Sequence, residues 1–184
     1  MSEHELSDEQ QEIRALARRF SDEVIAPAAP EWDREHRFPV EVFERLAELG
    51  LMGVNIPEEH GGAGADFLSY VLVLEELSRG DAGVGTTLAV HIGAGTMPIL
   101  NHGTPEQIER FVPPLARGEE MAAFALTESG SGSDAGAMRM PAPGGPSRSA
   151  GVSVNARSAV EEEFWPSFSS SRVTSKPGAS PRTR

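Results

Sequence analysis

From Ser7 to Arg117 the apolar positions recur at helical spacing, and proline and glycine cut the pattern into segments. Ser7 with Gln10 has the spacing of a capping box, so a first helix is predicted to start there. Ile13, Leu16, Ala17, Phe20 and Val24 give it one apolar face, and Pro27 and Pro30 are predicted to end it, with Trp32 packing at the corner that follows. Pro39 suits the first turn of a second helix, Val42, Phe43, Leu46 and Leu49 form its inner face, and Gly50 caps it. The stretch 55–64, NIPEEHGGAG, reads as a glycine-rich loop. A third helix is predicted over about Asp66 to Arg79, carrying Leu68, Val71, Leu72, Glu75 and Leu77, with Gly80 as its stop.

The segment from about Ala82 to Ile92 is built from Gly, Ala, Thr and Val and carries almost no charge. A helix without a polar face is normally buried. Thr104-Pro105-Glu106-Gln107 combines an N-cap, a first-turn proline and a capping-box glutamine. Ile108, Phe111, Val112 and Leu115 then line the last helix, and Gly118 closes it.

At Met121 the period changes. MAAFALTE, 121–128, reads as a short strand or extended segment, and SGSGSDAG, 129–136, as a flexible loop. From Pro141 to Arg184 the chain is rich in Ser, Arg, Pro, Gly and Ala, and no period persists. Two readings of this tail stay open: genuine disorder, or out-of-frame translation of GC-rich DNA. The expected fold is therefore mainly α. Residues 1–120 form a helical domain, 121–139 open a β-domain, and 140–184 are a low-complexity tail.

Charge narrows the function. The formal net charge is −12, and acids dominate up to Asp134 while the tail is basic. Nucleic acid and anionic membrane surfaces both need clustered cations, which the body lacks. The absence of cysteine excludes disulfides, thiolate metal sites and a cysteine nucleophile, and it fits a cytoplasmic location. The N-terminus has the character of neither a signal peptide nor a transit peptide, and Val84 to Leu100 is short for a membrane span.

Gly130-Ser131-Gly132-Ser133-Asp134-Ala135 fits G-x-G-x-x-A. The dinucleotide fold would need a strand before it and a helix after it. Helices precede it and Pro141, Pro143 and Gly144-Gly145 follow, so that fold is excluded. The longer string Phe124-Ala125-Leu126-Thr127-Glu128-Ser129-Gly130-Ser131-Gly132-Ser133-Asp134 resembles the signature of the acyl-CoA dehydrogenase family. Gly50-Leu51-Met52-Gly53, Ile56-Pro57-Glu58-Glu59-His60-Gly61-Gly62, Glu75-Glu76-Leu77-Ser78 and Gly103-Thr104-Pro105-Glu106-Gln107 resemble further family segments in the same order. The resemblance runs from about Leu6 to Met138, with Ser129 standing where the family usually has proline.

An extended segment followed by glycines suits a flavin. Its main-chain groups can pair with the polar edge of the ring, and successive N–H groups can cradle a pyrophosphate. The resemblance implies FAD as cofactor, with Phe124, Leu126 and Thr127 at the ring and Ser133 at the pyrophosphate. It also places Gly85 and Ala89 on the helix lining an acyl cavity, which would be deep enough for medium or longer chains. Simple helix packing through small residues is the competing account. His91 is expected to be a satisfied buried histidine, His60 and His102 to lie at loop or helix ends, and His4 and His36 to be solvated.

The implied reaction is α,β-dehydrogenation of an acyl-CoA thioester, with an electron-transfer flavoprotein as acceptor, in a homo-oligomer. The family's catalytic glutamate is expected in a C-terminal bundle that is not recognisable here, so no catalytic residue is assigned and the chain alone is expected to be inactive. Other flavin chemistry on the same fold, such as a monooxygenase or nitroalkane oxidase, is one alternative. A non-catalytic helical module that binds a homologue is another.

Overall fold

The computed structural model describes residues 5–127, 129–137 and 152–154. Seven α-helices precede two short strands among them: α1 (Asp8–Phe20), α2 (Ala26–Glu35), α3 (Val40–Glu48), α4 (Phe67–Gly80), α5 (Ala82–Ala89), α6 (Met97–His102), α7 (Pro105–Ala116), β1 (Ala122–Phe124) and β2 (Val152–Val154). Helix α1 begins with the expected capping box: Ser7 Oγ accepts from the Gln10 N–H, and the Ser7 N–H donates to Gln10 Oε1.

Pro27 and Pro30 do not end this helix. A π-helical turn, Ser21–Ile25, joins α1 directly to α2. The Ala26 N–H bonds five residues back, to the Ser21 carbonyl, and this wider turn places Pro27 in the first turn of α2, where its missing N–H matters least. Pro30 lies inside α2 on an exposed face. The helix stops at His36, whose φ of 53° is the left-handed cap expected of such a terminus. Trp32 is buried in the core, as expected.

The same device recurs later. Helices α5 and α6 are joined by a second π turn, Val90–Thr96, and again a proline, Pro98, follows at the start of the next helix. The result is one 21-residue helix from Ala82 to His102, longer than the predicted 82–92. By length and composition alone it is apolar enough to cross a membrane. Its packing is that of a core helix: Val84, Gly85, Leu88, His91, Ile92, Gly95 and Thr96 are all buried among neighbouring elements.

Of the residues named for α4 from the sequence, Leu72 and Leu77 are buried and the other three are exposed. Tyr70, Leu72, Val73, Glu76 and Leu77 point inward, while Leu68, Val71 and Glu75 are exposed. Apolar residues occupy both faces of α4, so periodicity alone could not choose between them. Helices α1 and α4 pack along their lengths and are tied at both ends. Gln10 Nε2 donates to Asp66 Oδ2 at 2.6 Å, and Arg79 Nη2 meets Asp22 Oδ1 at 2.7 Å. Between them, Glu76 is 1% exposed and accepts from Arg14, Arg18 and Arg79. These guanidiniums, Arg18 above all, hold its carboxyl down at about 2 against the cost of burial.

The core runs through Ala17, Ile25, Leu46, Met52, Ile56, Leu77, Leu88 and Ile92. The glycine loop folds back on it. Ala63, Gly64 and Ala65 donate to the carbonyls of Gly53, Ile56 and Val54, and Gly64 takes a φ of 70° to do so. Gly62 lies so close to the Ile56 backbone that a side chain there would overlap it. The closing helix α7 starts on the expected Thr104–Gln107 capping box.

Within the segment read as a short strand or extended stretch, Ala122–Phe124 is the strand, and Glu128 lies outside the described residues. β1 pairs antiparallel with β2, with Ala122 opposite Val154 and Phe124 opposite Val152. The tail was expected to hold no strand. Three residues of it do pair, and a run this short is invisible to periodicity. The rest of the tail assignment lies outside the described residues.

Candidate functional site

The sequence offers one buried, chemically versatile group beside the strand that opens the expected cofactor segment. His91 sits in the second π turn and is fully buried. Its Nδ1 accepts from the Ala122 N–H at 3.0 Å, and its Nε2 lies 3.1 Å from the Leu115 carbonyl. A main-chain N–H can only donate, so Nδ1 is unprotonated and Nε2 carries the proton. Burial pushes the imidazole down to about 4, against the opposing pull of the Leu115 and Met52 main chain. His91 is therefore a neutral, satisfied histidine, as the sequence led one to expect. Its two hydrogen-bond partners, in α7 and β1, could not be read from sequence.

The π turn shapes the surroundings of this ring. Thr96 Oγ1 donates to the His91 carbonyl at 2.8 Å, five residues back along the turn. One turn on from His91, Gly95 faces Ala122, whose methyl occupies the space a side chain at Gly95 would take. Ala122 is buried and Phe124, two residues on, is 43% exposed. The chain thus passes from a fixed seat to an open surface within β1.

Of the residues expected at the flavin, Phe124, Thr127 and Ser133 are exposed and Leu126 is half-buried. A methyl at Gly132 would touch the Thr127 methyl at 3.7 Å, so the two ends of the loop approach each other. Gly130 has open space where a side chain would be. Ser131 is the member of the loop that the sequence did not single out. It is buried, and its hydroxyl donates to the Asp134 carbonyl, closing the turn that displays Ser133. The Ala137 N–H reaches the same carbonyl at 3.1 Å. Ser129, in place of the family proline, occupies an exposed turn.

Gly85 and Ala89 are four residues apart on one helix, but their surroundings differ. A side chain on Gly85 would overlap Ser78 of α4, so its smallness serves helix packing and opens no cavity at that point. Ala89 is half-buried, and its carbonyl accepts from the Tyr70 hydroxyl at 3.3 Å. The depth expected from these two positions loses its support at Gly85. Glu76, the one buried carboxylate among the described residues, is committed to three guanidiniums and is no proton acceptor.

Comparison with known proteins agrees with this architecture. Residues 7–119 match the family model described as acyl-CoA dehydrogenase, N-terminal domain. An acyl-CoA dehydrogenase of Bacillus subtilis (strain 168) is 45% identical over 137 residues, covering 74% of this chain and 36% of that protein. Two solved structures superpose well. A chain in a structure of the electron transferring flavoprotein of Acidaminococcus fermentans gives a TM-score of 0.71 at 37% identity, over 75% of this chain and 36% of that one. An acyl-CoA dehydrogenase complexed with FAD from Bacillus anthracis gives 0.63 at 38% identity, over 73% and 23%. The chain belongs to the acyl-CoA dehydrogenase family, and its described helices are the N-terminal domain of that fold. It spans about a third of the length of the curated relative it matches.

Proposed function

We propose that this chain supplies the N-terminal helical domain and the first flavin contacts of an acyl-CoA dehydrogenase that acts with FAD on an acyl-CoA thioester. The observation that carries this reading is the segment from Phe124 to Ser133. It follows a buried anchor at Ala122 and exposes an aromatic ring, the hydroxyls of Thr127, Ser129 and Ser133, and Gly130 on one short stretch, with Gly132 half-buried. Those groups fit an extended, polar-edged cofactor with a pyrophosphate.

Phe124 and Leu126 would pack against the ring, Thr127 would hydrogen-bond its polar edge, and Ser133 would donate to a phosphate oxygen. Gly130 lets the backbone approach that phosphate closely. Bound there, FAD supplies the acceptor for the hydride that leaves the β-carbon as the α-proton is removed. The base that takes that proton is not assigned to any residue of this chain. The A. fermentans neighbour supports an electron transferring flavoprotein as the onward acceptor.

Titration of FAD into the purified chain, followed by flavin fluorescence, tests this reading. Quenching is expected, with Ser133→Ala and Thr127→Ala each weakening binding about fivefold, the worth of one hydrogen bond of about 1 kcal/mol. Acyl-CoA with an electron-accepting dye should give no turnover by the chain alone. Absence of quenching, or quenching indifferent to both substitutions, would contradict the assignment.

A further inference from the structure

We propose that His91 is the positioning residue of the flavin segment: by holding the Ala122 N–H against the end of α7, its imidazole sets where β1 leaves the helical domain and hence where Phe124, Leu126 and Thr127 are presented. The seat itself is read from geometry. Its role toward the flavin rests on the function proposed above.

A histidine that merely filled space here would be replaceable by an apolar side chain, because burying imidazole nitrogens is costly unless they are bonded. Both nitrogens of His91 are bonded, and to main-chain atoms far apart in sequence: Leu115 is 24 residues away and Ala122 is 31. The ring therefore bridges the C-terminal turn of α7 and the first residue of β1. Between those two points the chain makes an exposed turn, with Gly118 at a φ of 69° and Glu119 exposed. That turn is bonded back to α7 through the N–H groups of Gly118, Glu119 and Glu120, and β1 begins two residues beyond the last of them.

Besides its pairing with β2, two contacts to the helical domain supply the direction. The first is the bond from Ala122 to Nδ1. The second is the close approach of Gly95 to the Ala122 methyl, which admits β1 flat against the π turn. Beyond Phe124 no regular structure holds 125–127. A strand rises about 3.3 Å per residue, so Phe124 lies only about 7 Å from the seat, and any tilt at Ala122 is carried into the flavin contacts.

The two nitrogens can be separated by substitution. Asparagine places an acceptor oxygen where imidazole has Nδ1 but cannot reach the position of Nε2. Glutamine places a donor where imidazole has Nε2 and lacks the nearer acceptor. His91→Asn should therefore keep β1 seated, while His91→Gln and His91→Leu should release it.

Amide hydrogen exchange on the full 184-residue chain reads this directly. In the Gln and Leu variants exchange at Ala122–Phe124 is expected to speed up by about tenfold or more, the loss of one buried bond, while α1 and α4 stay within about twofold of the parent. The Asn variant should exchange like the parent at β1. Protection of β1 by Gln equal to the parent's, or acceleration shared equally by α1 and α4, would overturn the proposal.

If His91→Leu does not fold by circular dichroism, Gly95→Ala attacks the same seat from the other side and leaves the histidine in place. It should open β1 selectively, and unchanged exchange there would count against the proposal. An FAD titration of the same variants separates the two claims. Binding kept by Asn and weakened about tenfold by Gln supports both. A parent chain that binds no FAD removes the flavin reading, and exchange alone then decides the seat.

Discussion

Two regions of this molecule are fixed by opposite means. The contact between α1 and α4 is a broad apolar face stapled by charge. Glu76 draws in Arg14, Arg18 and Arg79, and Arg79 passes the link on to Asp22. The segment proposed to contact the flavin hangs from the fold by one neutral histidine, one glycine contact and a three-residue strand pair. The first arrangement is redundant, so losing one arginine leaves two. The second has no spare. A scaffold held by many bonds and a binding segment held by few is the usual division of labour between rigid elements and functional loops.

The comparison is broken most severely by removing the centre of the charged staple. Glu76→Gln is expected to cost about 3 kcal/mol of global stability, at the low end for a buried pair because the arginines keep contact with water. Chemical denaturation should show a lower midpoint with unchanged slope, and exchange in β1 should rise no more than in the helices.

Acid separates the regions next. The imidazole of His91 is lowered from 6.5 to about 4, so the unfolded chain takes up its proton first as pH falls. Its contribution is full above pH 6.5 and is lost progressively as pH drops toward 4, amounting to about 3 kcal/mol at about 1.4 kcal/mol per unit. Glu76 is lowered from 4.5 to about 2, so its contribution is full above pH 4.5 and fades only as pH falls toward 2. Denaturation midpoints measured between pH 6.5 and 4.5 should therefore decline in the parent and stay level in His91→Asn. An equal decline in both would separate that loss from the histidine.

The helical half was legible in sequence where local chemistry decides the outcome. Both capping boxes, at Ser7–Gln10 and Thr104–Gln107, appear as expected, and Gly50 takes its left-handed cap at a φ of 72°. The features that failed to show are those set by tertiary context. Pro27 looked like a terminus because the π turn that accommodates it has no sequence signature. Helix α4 carries apolar residues on two faces, and the spacing that named Leu68 and Val71 with Leu72 and Leu77 could not say that the first two lie outward. At the site, the exposed residues of the loop were found from the motif. The anchors beneath them, His91 with Ala122 and Ser131 with Asp134, were not, because each depends on a main-chain partner that no spacing rule points to.

Smaller substitutions sharpen the contrast. Gly85→Ala forces a methyl against Ser78 and is expected to cost about 2 kcal/mol, as overpacking does, without altering exchange in β1. Thermal melting reads the first effect and exchange the second. Ser7→Ala removes one N-cap and should cost about 1 kcal/mol, seen as a small drop in melting temperature and faster exchange limited to the first turn of α1.

The most direct test of the central claim, that residues 122–134 form the flavin-contacting surface of this domain, is amide exchange of the full chain with and without saturating FAD. Protection should appear across Ala122–Thr127 and at Ser133, with α1 and α4 unchanged. Protection elsewhere with none in that segment, or no change anywhere, would contradict it.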